Sequence, residues 1–177
     1  METRNLVDPE LLPLLDAFPA LTISRENLSE TRAIADQRFP VAAADEAQAG
    51  IAMQERHVPG PVGAPDVLVR MYHPAAAVGA APALLWIHGG GVILGSAAED
   101  DLMVRTIVAA TGCAALSVDY RLAPEAPFPA GVEDCYAALT WMHDHAGALG
   151  IDPGRLAIGG ASAGGGLAAS LALLTRD

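Results

Sequence analysis

The sequence predicts an α/β architecture with a mostly parallel sheet and flanking helices. Three observations carry that prediction. From Ala83 onward, apolar runs of strand length alternate with stretches of 3.6-residue periodicity. Two of those runs, Ala83-Leu84-Leu85-Trp86-Ile87 and Cys113 to Val118, are nearly all apolar, as strands buried on both faces must be. Finally, the run Leu156-Ala157-Ile158 passes through Gly160-Ala161-Ser162-Ala163-Gly164 into an alanine- and leucine-rich stretch, Leu167 to Leu174. That is a strand, a sharp turn and a helix.

The elements follow in order. Asp8-Pro9-Glu10 is a helix start, with proline at the first helical position. Leu11, Leu12, Leu14, Leu15 and Phe18 then form an apolar stripe, and Ser24 opens a second helix to about Ala35, with Asn27 at the capping-box position. Ile51 to His57 and Val67 to Tyr72 read as strands, and Ala75 to Pro82 as a loop of small residues. Ser96 to Thr111 reads as a helix with a Ser96–Glu99 capping box, closed by Gly112. Residues 121–130 form a proline-punctuated loop. Val132, Cys135, Tyr136, Leu139 and Met142 then mark a helix ending near Gly147, and Asp152-Pro153-Gly154 a turn.

Composition bounds the function. The 177 residues are 52% hydrophobic and 18% charged, which suits one globular domain with a sizeable core. The net charge of −11 argues against a nucleic-acid partner, because phosphate neutralisation needs clustered cations. All ten basic residues are arginine, so a phosphate loop of the Gly-Lys type is excluded. Two cysteines, Cys113 and Cys135, are too few for a zinc site or a disulfide framework and read as buried free thiols. The N-terminus has no signal-peptide pattern and no apolar run reaches the length of a membrane span, so a cytoplasmic protein is expected. No metal or cofactor is expected.

Two constellations carry chemistry. Gly160-Ala161-Ser162-Ala163-Gly164 is a G-x-S-x-G elbow, in which tight backbone thrusts the serine outward and the flanking glycines avoid clashes. The alternative is a plain glycine-rich packing turn. His88-Gly89-Gly90-Gly91 directly follows the strand ending at Ile87, where bare backbone leaves N–H groups free to point at an oxyanion. The alternative there is a flexible loop. A nucleotide loop fits poorly: Gly159 to Gly164 has the G-x-x-x-x-G spacing, but no lysine follows and G-x-G-x-x-G is absent. His88 is expected to anchor the glycine loop. Asp119 reads as structural because it precedes Ser162, the reverse of the serine-acid-histidine order of α/β-hydrolases. His143 and His145 read as solvated, and His57 and His73 have no partner pattern.

Taken together, His88-Gly89-Gly90-Gly91, Asp119-Tyr120-Arg121-Leu122-Ala123-Pro124-Glu125, Phe128-Pro129-Ala130 and Gly160-Ala161-Ser162-Ala163-Gly164-Gly165 resemble the hormone-sensitive-lipase family of bacterial carboxylesterases. The resemblance covers about residues 40–177. It implies an α/β-hydrolase that cleaves short-chain acyl esters, with Ser162 as nucleophile and Gly89, Gly90, Gly91 and Ala163 as oxyanion hole. His88, Gly160, Gly164, Asp119, Tyr120 and Glu125 would support them. Ala161 stands where members often carry Asp.

Residues 1–40 resemble the family's helical cap, either a mobile lid or a pair of helices fixed on the body, and 41–177 the N-terminal part of the catalytic domain. The family's acid and histidine lie C-terminal to the elbow, and nothing in 163–177 matches them. The expectation is therefore the N-terminal half to two-thirds of a hydrolase, nearly inactive and unstable alone, completed by the C-terminal half in cis or on a separate chain. A homodimer is possible. Rival readings are a small-ligand-binding scaffold without catalysis, and an amidase or deacetylase on the same scaffold.

Overall fold

The computed structural model describes residues 3–17, 22–38, 50–74 and 79–176. Five strands form one sheet: β1 (Ile51–Val58), β2 (Val67–Pro74), β3 (Ala81–Ile87), β4 (Ala114–Asp119) and β5 (Ile151–Gly160). Their spatial order is β1-β2-β4-β3-β5. β3 pairs in parallel with both β4 and β5, while β2 runs antiparallel to both β1 and β4. The sheet is therefore mixed, and its parallel part is the stretch whose alternation from Ala83 predicts it.

Helices cover both faces because β3 and β4 present apolar side chains to both. On one face α3 (Asp101–Thr111) sets Val104 and Val108 against Tyr72, Ala115 and Trp86. On the other, α4 (Ala130–Asp144), a short α5 (Ala146–Leu149) and α6 (Ala163–Leu174) enclose Leu85, Ile87, Leu116 and Val118 with Cys135, Ala138, Met142 and Leu171. Leu85, Ile87, Val118 and Cys135 are fully buried. Each large aliphatic side chain removed from water in this way contributes ~1.5–3 kcal/mol. Both cysteines are free and buried, as expected.

Several boundaries differ from the sequence reading; β3, for one, begins at Ala81, inside the loop expected over 75–82. α3 begins at Asp101, and Ser96 and Glu99 form a turn (Glu99 N–H to Ser96 C=O, 3.2 Å) rather than a capping box. The polar groups of this segment are taken by distant partners: Asp119 Oδ1 accepts from Ala97 N–H at 2.8 Å, and Asp100 Oδ2 from the Trp86 indole at 2.7 Å. Asp152-Pro153-Gly154 lies within β5, not before it. Its turn chemistry survives as Gly154 N–H donating to Asp152 Oδ1 at 2.9 Å, next to a shift in the β3–β5 register. α6 begins at Ala163, earlier than the apolar stretch from Leu167.

At the N-terminus, Asp8 caps a 3-10 turn, Pro9–Leu11, by accepting from Glu10 N–H at 2.9 Å, and α1 (Leu12–Ala17) follows. Leu11, Leu14 and Leu15 stay exposed; Phe18, residues 41–49 and residues 75–78 lie outside the described residues. α2 (Leu28–Arg38) is entered through Ser24 and Asn27, where Ser24 N–H donates to Asn27 Oδ1 (2.7 Å) and Asn27 N–H to Ser24 Oγ (3.4 Å). Asn27 thus takes the glutamate position of a capping box. Leu28 and Thr31 are buried, so α2 is packed on the body.

Candidate active site

Parallel pairing decides where the two glycine motifs meet. Ile87, the last residue of β3, stands opposite Gly160, the last of β5. Both chains therefore leave the sheet at the same end, and Ala161 N–H closes the junction by donating to Ile87 C=O at 3.1 Å. Loops at the carboxyl ends of parallel strands are where α/β proteins bind ligands.

At the elbow, Ser162 has φ 51° and ψ −116° and caps α6. A non-glycine residue at positive φ costs of order 1–3 kcal/mol and persists only where its surroundings enforce it. Gly164 supplies that enforcement: a Cβ there would lie against the carbonyls of Ile87 and His88, at 2.5 Å from the latter. Gly160 meets the same limit against Gly164 and Ile87 C=O, at 2.5 and 2.6 Å. Ser162 is exposed at the apex. Gly164 and Gly165 donate backwards to Ala161 C=O (2.8 Å) and Ser162 C=O (3.0 Å). Among the described residues, the Ala163 N–H makes no hydrogen bond, as the first donor of a helix.

Opposite the elbow, a Cβ on Gly89 would stand 3.5 Å from Ser162 Cβ. The two motifs touch. Gly90 (φ 102°) and Gly91 (φ 64°) turn the chain away, and Gly90 C=O accepts from Ile93 and Leu94 N–H at 3.2 and 2.9 Å. The N–H groups of Gly89, Gly90 and Gly91 make no hydrogen bond among the described residues.

His88 anchors this loop rather than serving the serine. Its ring is buried and stacked on Tyr120 (centroids 4.2 Å apart), and its Nδ1 is 2.8 Å from Gly89 C=O. The carbonyl can only accept, so Nδ1 carries the proton. Nε2 is then a buried acceptor with no partner among the described residues. Burial pushes the His88 pKa below its ordinary value, against the Gly89 carbonyl and the fields of Asp119 and Asp100. Tyr120 completes the brace: its hydroxyl reaches His88 C=O at 3.1 Å and Gly89 C=O at 3.3 Å.

The other sequence-expected residues are placed as follows. Asp119 ties residue 97 to the end of β4. Glu125 lies on the surface in a bidentate pair with Arg32, whose hydrogen bonds hold its carboxyl at about 2. Among the described residues no imidazole or carboxylate hydrogen-bonds Ser162. Beside the elbow, His88, Gly89, Gly90, Asp100, Ala161 and Ala35 contribute to a cleft of about 260 Å³.

Sequence reasoning missed Asp134 and Arg32. Arg121, inside the recognised motif, makes a bidentate bond to Asp134 on α4 and also donates to it from its backbone N–H. Asp134 sits next to Cys135 and four residues before Ala138, on the buried side of the helix. A carboxylate on an apolar stripe was the available signal. Arg32 had no signal, because its partners are 61 to 93 residues away.

Comparison with known proteins identifies the family and the fold. A family model described as alpha/beta hydrolase fold matches residues 84–177. The chain belongs to the hormone-sensitive-lipase-like alpha/beta hydrolases. The carboxylesterase NlhH of Mycobacterium tuberculosis is 39% identical over 174 residues, 98% of this chain and 53% of the relative. Among solved structures, a bacterial heroin esterase is similar at 43% identity and TM-score 0.88, covering 99% of this chain and 55% of that one. Esterase LipW from Mycobacterium marinum follows at 39% identity and TM-score 0.82, covering 97% and 54%. The chain thus spans about half the length of the relatives it matches. Among its described residues, no helix is long and apolar enough to cross a membrane.

Proposed function

We propose that this chain is the nucleophile-bearing part of a serine carboxylesterase that cleaves short-chain acyl esters. The observation that carries the reading is Ser162, held at positive φ and exposed against Gly89. Similarity to esterases over nearly the whole chain supports it.

The mechanism is acyl transfer. Ser162 Oγ attacks the ester carbonyl, losing its proton to a histidine supplied by the C-terminal segment. The N–H groups of Ala163 and of residues 89–91 receive the developing oxyanion, and the alcohol leaves. Water then releases the acyl group from Ser162. His88 and Tyr120 act by holding the glycine loop, with His88 neutral. Residues 1–40 serve as a cap over residues 41–177. The C-terminal segment, in cis or as a separate chain, would extend the sheet beside β5, where Leu156, Ile158 and Leu174, with Thr140, His143 and Thr175, line an open groove. Alone, the chain would have little or no activity.

Turnover of a chromogenic acetyl ester and of the matching anilide, by this chain assembled with its C-terminal segment, tests the reading. The ester should turn over with a burst, and S162A should lower kcat by about 10⁴-fold or more. Unchanged turnover in S162A would exclude Ser162, faster anilide cleavage would favour an amidase, and ligand binding without turnover a non-catalytic scaffold.

A further inference from the structure

The Arg32 guanidinium joins three segments far apart in sequence. It leaves α2, donates from Nε to Ile93 C=O at 2.8 Å and from Nη2 to Ala123 C=O at 3.0 Å, and grips Glu125 with Nη1 and Nη2 at 2.8 and 2.9 Å. Ala123 N–H in turn donates to Val92 C=O at 2.9 Å, which ties the two loops to each other. The glycine loop, the 121–126 loop and α2 therefore share one connected set of hydrogen bonds. Ala35, three residues after Arg32, lines the cleft with Gly89 and Gly90.

A surface ion pair alone would carry little, because Glu125 is solvated. The two carbonyl bonds are different. Ile93 and Leu94 are the residues whose N–H groups close the turn on Gly90 C=O, so a shift of Ile93 is transmitted to Gly90. Only a planar fork serves two carbonyls and a carboxylate together, which a lysine ammonium does not.

We propose that Arg32 is a positioning residue that couples the cap helix to the glycine loop and holds residues 89–91 in place against Ser162. The proposal rests on the reading of that loop as the oxyanion site. R32M and R32K, in the chain assembled with its C-terminal segment, are the test. Amide exchange at Leu94 and Ala123 should quicken about tenfold or more in R32M, with Leu85 in β3 unchanged. The kcat for the acetyl ester should fall about tenfold or more, with KM within about twofold, since the lost contribution acts on the transition state. R32K should lie between R32M and the parent; if R32M does not fold, R32K alone carries the comparison. Unchanged exchange overturns the proposal whether or not esters are hydrolysed. Faster exchange with unchanged kcat overturns the coupling, leaving Arg32 a purely structural residue. A parent assembly without esterase activity would refute the esterase reading instead, and exchange then decides the clamp by itself.

Discussion

Ser162 holds backbone angles that side chains seldom adopt, and two glycines make this tolerable. Gly164 packs directly on the carbonyls of Ile87 and His88, backbone that cannot move without opening β3. G164A should therefore destabilise the fold by about 3 kcal/mol, at the upper end of overpacking costs, and displace Ser162. Urea melts of parent and variant measure this; a change under about 1 kcal/mol would mean the elbow is not tightly held. These residues were legible in the sequence because their constraint is local: glycine, serine and glycine at fixed spacing after an apolar run. Val92, at φ 61° directly after the glycines, was not legible, since nothing in a valine announces the left-handed region.

Among the elements, the loop between β4 and α4 is held from below. Asp134 is fully buried and receives both the guanidinium and the backbone N–H of Arg121. D134A leaves that cation and that N–H without partners. Breaking a buried pair from one side costs about 3–5 kcal/mol, and partial exposure of Arg121 lowers the expected loss to about 2–3 kcal/mol. Thermal melts check it, and a loss below about 1 kcal/mol would contradict the bracing role. Element types were legible because periodicity records burial: the apolar runs at β3 and β4 both read as strands buried on both faces, which β4 is, whereas β3 buries Leu85 and Ile87 on one face and leaves Leu84 and Trp86 half-buried on the other. Element starts were less so. Ser96 and Glu99 have the spacing of a capping box, yet Asp119 and Trp86 claim the neighbouring polar groups, and those partners are distant in sequence.

Across the whole molecule, one buried and one half-buried histidine contribute to the response to acid. Burial lowers the pKa of both His88 and His73. Each takes up a proton less readily when folded than in the unfolded chain, which protonates below about pH 6.5. The unfolded state then binds more protons, so this stability is present above about 6.5 and is lost as pH falls toward the folded values. Glu125 and Asp152, whose pKa values are lowered by Arg32 and Arg155, contribute above the ordinary carboxylate range and lose that contribution below it. Stability should therefore be lower at pH 5.5 than at pH 7.5 in urea melts; an equal or higher value at 5.5 would contradict the lowered pKa of the two histidines.

Ser162 is proposed as the nucleophile that faces the glycine loop. With no lysine in the chain, trypsin cuts only after arginine and releases Leu156–Arg176 as the one peptide bearing that serine. Mass spectrometry of this peptide, after treating the assembled protein with a serine-directed phosphonate, tests that role. A single adduct on Leu156–Arg176, absent in S162A, is expected. An unlabelled peptide from an assembly that still hydrolyses esters would contradict it.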